Sequence, residues 1–171
     1  RNLSSGKHNA EQVLRRPLVS RVHGWIGGTP ARTIVLSDHV GRFIEEHGRV
    51  PRAAQSRVYY GLDPEPFERA ASETEVGALR AELGIDAGDV VFLCVARFAP
   101  QKAHEILLQA LAIARRRDPR LRLLLVGDDP FGDGRQRAEG EARRLGLCGE
   151  DGRGAAIFTG IRRDVPALMA A

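Results

Sequence analysis

From Asp89 onward three apolar runs, "DVVFLCVA", "LRLLLVG" and "AAIFTG", alternate with two stretches of helical period, "QKAHEILLQALAIARRR" and "RQRAEGEARRLGL". Such alternation leaves few folds open. Strands joined through helices pair in parallel by right-handed crossovers, and helices then cover both faces of the sheet. The continuous apolar character of residues 89–96 predicts a strand buried on both faces. Apolar residues at Ile106, Leu107, Ala110, Leu111 and Ala114 form a helical stripe, and "RDVPALMAA" opens a further helix. The expected fold is α/β, a doubly wound parallel sheet of Rossmann-like type.

Upstream, "TIVLS" at 33–37 reads as a short strand, and Ser37 suits the N-cap of a helix through "DHVGRFIEEHG" that stops at Gly48. The stretch from Ser5 to about Trp25 is expected to be mostly helical. "SRVYYGLDPEPFERA" begins as a strand and breaks at Gly61, after which Pro64 and Pro66 predict a stiff linker. Residues 73–84 read as a helix ending at Gly84. The expected organisation is therefore a first domain over 1–60, a linker over 61–72 and a second domain over 73–171. The start, "RNLSSGKHNAEQ", has neither a methionine nor the apolar core of a signal peptide, and "VPALMAA" ends inside a helical pattern. The chain is expected to be a piece of a longer protein, truncated at both ends.

Composition removes several function classes. With 171 residues, 43% hydrophobic and 28% charged, the chain has the balance of a soluble globular protein about one ordinary domain in length. No apolar run approaches the roughly 18–20 residues that cross a bilayer. The net charge is +4, yet basic residues do not interleave with aromatics, so no nucleic-acid partner is expected. Arg115, Arg116 and Arg117 sit at a helix C-terminus, where cations favour the dipole. Cys94 and Cys148 lack metal-ligand spacing; Cys94 reads as a small core residue, and a reducing cytoplasm is the default. His8, His23, His39, His47 and His104 show no metal spacing either, and Trp25 reads as a packing residue. Asp128 and Asp129 are adjacent carboxylates that could suggest a metal pair.

The chemistry concentrates in "VARFAPQKAHE". Lys102 is one of only two lysines, with Lys7, among 26 basic residues. Ligands of open parallel sheets bind beyond the carboxyl ends of the strands, and three loops occupy that edge: Arg97 to Pro100, Gly127 to Gly134, and Gly160 to Arg163. Arg97 ends its strand, Pro100 pre-sets a first helical turn and Lys102 lies within that turn. An arginine fork and a lysine point charge over a helix N-terminus suit a diphosphate. Spacing leaves one alternative open, in which Arg97 pairs with a carboxylate such as Asp128 and Lys102 is merely solvated.

The segment "VARFAPQKAHEILLQALAIARRRDPRLRLLLVGDDP" resembles the Arg-x-x-x-x-Lys segment of GT-B retaining glycosyltransferases (family 4 type, group 1). "ARTIVLSDHVGRFIEEHG" resembles the strand and helix that close the N-terminal domain of that family, "RVYYGLDPEPF" its domain linker, and "IFTGIRRDVPALMAA" its "FtG.r.dvp.ll" segment. The resemblance implies a GT-B type fold, with residues 1–60 from the acceptor-side domain and 73–171 from the donor domain. It implies transfer of a sugar from a nucleotide-diphosphate-sugar donor to a glycan, lipid-linked or small-molecule acceptor. Arg97 and Lys102 would be the catalytic residues, holding the diphosphate and stabilising charge on the departing nucleotide. Backbone atoms of Gly160, Ile161 and Arg162 would face the nucleobase. Gly61 and Asp63 would line the interdomain hinge, and Gly127 would let its loop approach the ligand. No cofactor and no metal are implied, because such enzymes rely on helix dipole and basic residues.

The sequence also departs from that pattern. Ala103 replaces the glycine after the lysine, Tyr60 replaces the linker asparagine, and "GDDPFGDG" lengthens a shorter turn. The family's acidic segment and its glycine-rich acceptor-side loop are absent, so the 171 residues alone are expected to be inactive. The expected location is cytoplasmic, and the basic charge is compatible with association at the inner face of a membrane, as in lipopolysaccharide or capsule assembly. Two alternatives stand beside this reading. One is a non-catalytic α/β phosphate- or nucleotide-binding module; the other is a two-domain epimerase, which would place histidine and carboxylates in its cleft.

Overall fold

A computed structural model of the chain describes residues 4–7, 15–27, 32–69, 71–130, 132–149 and 154–171. His8 and residues 8–14 of the expected first helix lie outside them. The chain divides into two compact units, Arg1–Asp63 and Pro64–Ala171.

The first unit holds a parallel three-stranded sheet in the order β1 (Ser4–Lys7), β2 (Arg32–Val35), β3 (Gln55–Arg57). Helix α1 (Pro17–Gly27) joins β1 to β2 and α2 (Asp38–Gly48) joins β2 to β3. The expectation of helix from Ser5 is thus corrected at its start: Ser4–Lys7 is a strand, because a parallel partner in β2 gives its backbone a ladder that local propensity does not reveal. Ser37 caps α2 as expected, its hydroxyl accepting from the Val40 amide at 3.2 Å. The helix ends at Gly48, but the left-handed residue is Arg49, at φ 55°, whose N–H donates to the Ile44 carbonyl. Val40, Phe43 and Ile44 of α2 pack against Val35 and Val50.

In the second unit, α3 (Glu65–Glu68) and α4 (Glu73–Glu82) precede β4 (Val90–Val95), α5 (His104–Arg115), β5 (Leu121–Val126), α6 (Gly134–Arg144), β6 (Ala156–Gly160) and α7 (Val165–Ala170). Ser72 and Glu75 form a reciprocal capping box at the start of α4. The sheet is parallel, in the order β4-β5-β6. Leu123 and Leu125 of β5 point into one core with Phe98, Leu108 and Leu111 and with Ala138 and Ala142 of α6. Leu124 and Val126 point to the other face, meeting Leu79 of α4, Ile157 and Leu168 of α7. Helices cover both faces, the doubly wound arrangement that the period of the sequence predicts. One expectation fails. Among the described residues β4 pairs with β5 alone, and its Val90, Phe92 and Val95 are exposed. β5 is the strand buried on both faces, its side chains meeting α5 and α6 on one side and α4 and α7 on the other.

Candidate active site

The carboxyl edge of the second sheet is built by three loops that continue the ladder beyond the strands. The Ala96 amide donates to the Val126 carbonyl at 2.9 Å, Phe98 to Asp128 at 2.8 Å, and Gly127 to Gly160 at 2.9 Å. The predicted positions after β4, β5 and β6 are therefore brought together on one frame. Gly127 is required by that frame, since a Cβ there would overlap the Ala96 carbonyl. Its close approach is to backbone, a use that spacing could not distinguish from approach to a ligand. Gly160 adopts φ 76°, a left-handed conformation that glycine takes without strain.

Arg97 and Lys102 flank the turn that leaves β4, and both are exposed. Pro100–Lys102 is a separate single 3-10 turn, in which the Lys102 amide donates to the Ala99 carbonyl at 2.9 Å. Ala103 then turns left-handed, at φ 52° and ψ 44°, and α5 begins only at His104. The expectation of one continuous helix from Pro100 is corrected by that residue. The first intrahelical bond runs from the Leu107 amide to the Ala103 carbonyl, and no side chain caps the helix start. The amides of the first turn thus stay open beside Lys102, with the positive end of the helix dipole.

The alternative pairing of Arg97 with Asp128 is not formed. The Asp128 carboxylate accepts from the Asp129 amide, and among the described residues no carboxylate pairs with Arg97 or Lys102. Most other arginines of this unit are engaged. Arg122 meets Asp89, Arg137 meets Glu105 and Asp133, and Arg144 meets Glu141. Two cations without carboxylate partners at a sheet edge are available for an anion.

His104 is buried and stacks on Phe98, with ring centroids 4.6 Å apart, while its Nε2 has no hydrogen-bond partner among the described residues. Burial holds its imidazole below the usual histidine range, Glu105 opposes this, and the Lys102 charge adds to it. Burial likewise pushes the half-buried Cys94 thiol up, against Lys102.

The lengthened second loop is organised by Asp129. Its carboxylate accepts from the amides of Gly132 at 3.1 Å, Gly134 at 3.3 Å and Arg135 at 3.0 Å. It caps α6 in place of Asp133, which makes no cap bond and instead pairs with Arg137. Both carboxylates that could have suggested a metal pair are thus employed by backbone amides.

In the third loop, Ile161 is exposed, and the Arg162 guanidinium is clamped by Asp164, with Nε to Oδ1 at 2.8 Å, and by Glu82 of α4. These bonds hold the Asp164 carboxyl below the usual carboxylate range. The Arg162 side chain is thus committed to fixing the loop. Glu82 was not legible as a site residue, because it lies 80 positions away in sequence. Arg163 is a further exposed cation at this edge that the motif comparison passed over. Gly61 and Asp63 fall in the first unit, in exposed irregular chain after β3.

A parallel strand–helix frame whose carboxyl edge presents backbone amides and cations is a Rossmann-like anion-binding frame, the kind of which GT-B folds are built. Over its whole length the chain superposes on Anabaena Alr3699/HepE solved with UDP-glucose, at a TM-score of 0.83 and 27% identity, covering 45% of that protein. The model for glycosyl transferases group 1 matches residues 76–150, which lie within the second unit. The chain is 37% identical over 101 residues to the D-inositol 3-phosphate glycosyltransferase of Segniliparus rotundus, covering 52% of this chain and 22% of that protein. It is 32% identical over 122 residues to the lipopolysaccharide 1,2-N-acetylglucosaminetransferase of Salmonella typhimurium, covering 71% of this chain and 30% of that enzyme. The chain thus spans under a third of either curated relative.

Proposed function

We propose that the chain belongs to a retaining glycosyltransferase that moves a sugar from a nucleoside-diphosphate donor to a glycan, lipid-linked or small-molecule acceptor. In this reading the second unit binds the donor without a metal, and the first is part of the acceptor side, with Gly61 and Asp63 at the hinge. Arg97 and Lys102 grip the diphosphate, aided by the open amides at the start of α5. As the glycosidic bond to phosphate breaks, negative charge grows on the departing diphosphate, and cations fixed beforehand lower that barrier. Backbone atoms of Gly160, Ile161 and Arg162 face the base. The protein works on the cytoplasmic side, peripherally attached to the inner face of a membrane.

The observation that carries the reading is that Arg97 and Lys102 lie without carboxylate partners among the described residues, beside an uncapped helix start, in a segment that the glycosyl transferases group 1 model matches. The test is Lys102→Ala in the full-length enzyme. Transfer is expected to drop by at least about a hundredfold, the usual scale for removing one preorganised charge, with thermal unfolding unchanged. Near-normal turnover would remove Lys102 from the mechanism. Nucleotide binding without any transfer by the full-length protein would leave only a binding module.

A further inference from the structure

We infer that His104 is a positioning residue of the anion site: its neutral imidazole, docked on Phe98, holds the turn that carries Lys102, and charging the ring releases that turn and weakens diphosphate binding. The inference rests on the donor reading above and adds to it a dependence on pH. From Pro100 to Ala103 no side chain is buried, so the 3-10 turn of Lys102 is held at its two ends, by Phe98 and Ala99 before it and by His104 after it. The two ends meet. The imidazole stacks on the Phe98 ring with centroids 4.6 Å apart, and Phe98 in turn stacks on Phe158 of β6 at 6.1 Å. The Phe98 amide is anchored to the Asp128 carbonyl, and its own carbonyl lies against Gly134 at the start of α6. The ring of His104 thus closes the turn onto β6 and the second loop through Phe98. Arg97 immediately precedes Phe98, so both cations flank this one stack.

Only a neutral ring fits there. His104 is 3% exposed, so its surroundings are set within the second unit, and its Nε2 has no hydrogen-bond partner among the described residues. Protonation puts an N–H on both ring nitrogens, and at Nε2 that N–H would be a buried donor without an acceptor. The added charge would also sit at the positive end of the α5 dipole. The charged and titratable groups around the ring do not repair this. Glu105 on its own helix favours a charged ring, whereas Lys102 in the preceding turn disfavours one. Arg137 of α6 lies 3.5 Å from the Glu105 carboxylate and tempers it. β4 contributes Cys94, whose thiol also feels Lys102, and the loop after β4 contributes the cation Arg97. Phe158 of β6 and Gly134 of α6, which pack on Phe98, do not titrate. In acid the ring therefore charges by leaving the stack for solvent, and the turn loses its second tie. Binding selects the docked, neutral form, so affinity falls about tenfold for each pH unit below the point at which the ring of the free enzyme charges.

The test uses the full-length enzyme and inorganic pyrophosphate, titrated calorimetrically at pH 7 and pH 5. His104→Gln supplies a planar polar side chain that does not titrate. Pyrophosphate changes its own charge over this range, equally for both proteins, so the ratio of their dissociation constants isolates the ring. From pH 7 to pH 5 wild-type binding is expected to weaken about tenfold more than His104→Gln binding. Glu105→Gln leaves the ring in place and removes the charge that favours its protonation, so it is expected to shift the loss to lower pH. A ratio that stays constant with pH would make the ring a packing element alone. A ratio that moves the other way would mean that the bound anion draws a proton onto the ring. Either result overturns the inference and leaves the donor reading intact. A Glu105→Gln profile that coincides with the wild type overturns it too, whether or not His104→Gln folds. Pyrophosphate that fails to bind the wild type, or that binds Lys102→Ala equally well, would remove the donor reading and the inference with it.

Discussion

Ala103 carries the sharpest strain in the site. It stands at φ 52° where a Cβ is unfavourable, and it links the 3-10 turn of Lys102 to α5. Ala103→Gly is expected to be neutral to stabilising by up to about 1 kcal/mol, which is roughly 2–4 °C in Tm for a domain of this size. A calorimetric scan decides, and a lower Tm would mean that the turn tolerates its Cβ. Gly127 is the opposite case. Gly127→Ala must push the loops after β4 and β5 apart, at a cost of roughly 1–3 kcal/mol as in overpacked cores. His104 gives a pH signature. Its proton is held more tightly in the unfolded chain than in the fold, so stability is expected to rise with pH between the lowered folded value and the ordinary value near about 6.5. Melting at pH 5 should lie below melting at pH 7, and His104→Gln should flatten that difference. At this scale the sequence read Arg97 and Lys102 as an anion-binding pair and flagged Ala103 as a departure, but not why it matters. A φ value is set by where the chain must go next, which no single residue type discloses.

At the scale of elements, periodicity was informative where an element's own side chains decide its state. The stripe Ile106, Leu107, Ala110, Leu111 and Ala114 folds as α5, although Ile106 and Ala110 are exposed and Leu108 is buried beside Leu111 instead, and the capping box at Ser72 and Glu75 opens α4. Ser72→Ala is expected to cost about 1 kcal/mol, a usual value for a lost N-cap, read from the Tm. Periodicity misled where a neighbour decides. Residues 4–7 become a strand through pairing with β2, and β4, paired on one side among the described residues, exposes Val90, Phe92 and Val95. The link from Glu82 on α4 to Arg162 belongs to this scale too, since it ties a helix to a loop that the chain reaches much later. If the third loop positions the donor, Glu82→Gln in the full-length enzyme should raise the donor KM several-fold while kcat changes little. A fall in kcat alone would contradict that role.

For the molecule as a whole, the alternation of strand and helix was enough to foresee two-sided coverage of the sheet, because that consequence follows from connectivity. The distribution of charge was hidden by the overall value of +4, since a near-neutral unit dilutes a basic one. Near the end of the first unit the exposed stretch Val58 to Leu62 offers Tyr59, Tyr60 and Leu62 to a protease. Brief chymotrypsin treatment should cut there first and leave a product that begins at residue 60, 61 or 63 and carries the whole second unit. The three backbone bonds that join the loops after β4, β5 and β6 bear on time as well as shape. Amide protons in surface loops ordinarily exchange with solvent as soon as the loop flickers open. Those of Ala96, Phe98 and Gly127 are bound across the sheet, so none is released until neighbouring strands part, and they should exchange as slowly as the amides in the middle of β5. The anion-binding edge would then keep its shape between turnovers, so that a ligand meets a surface already set.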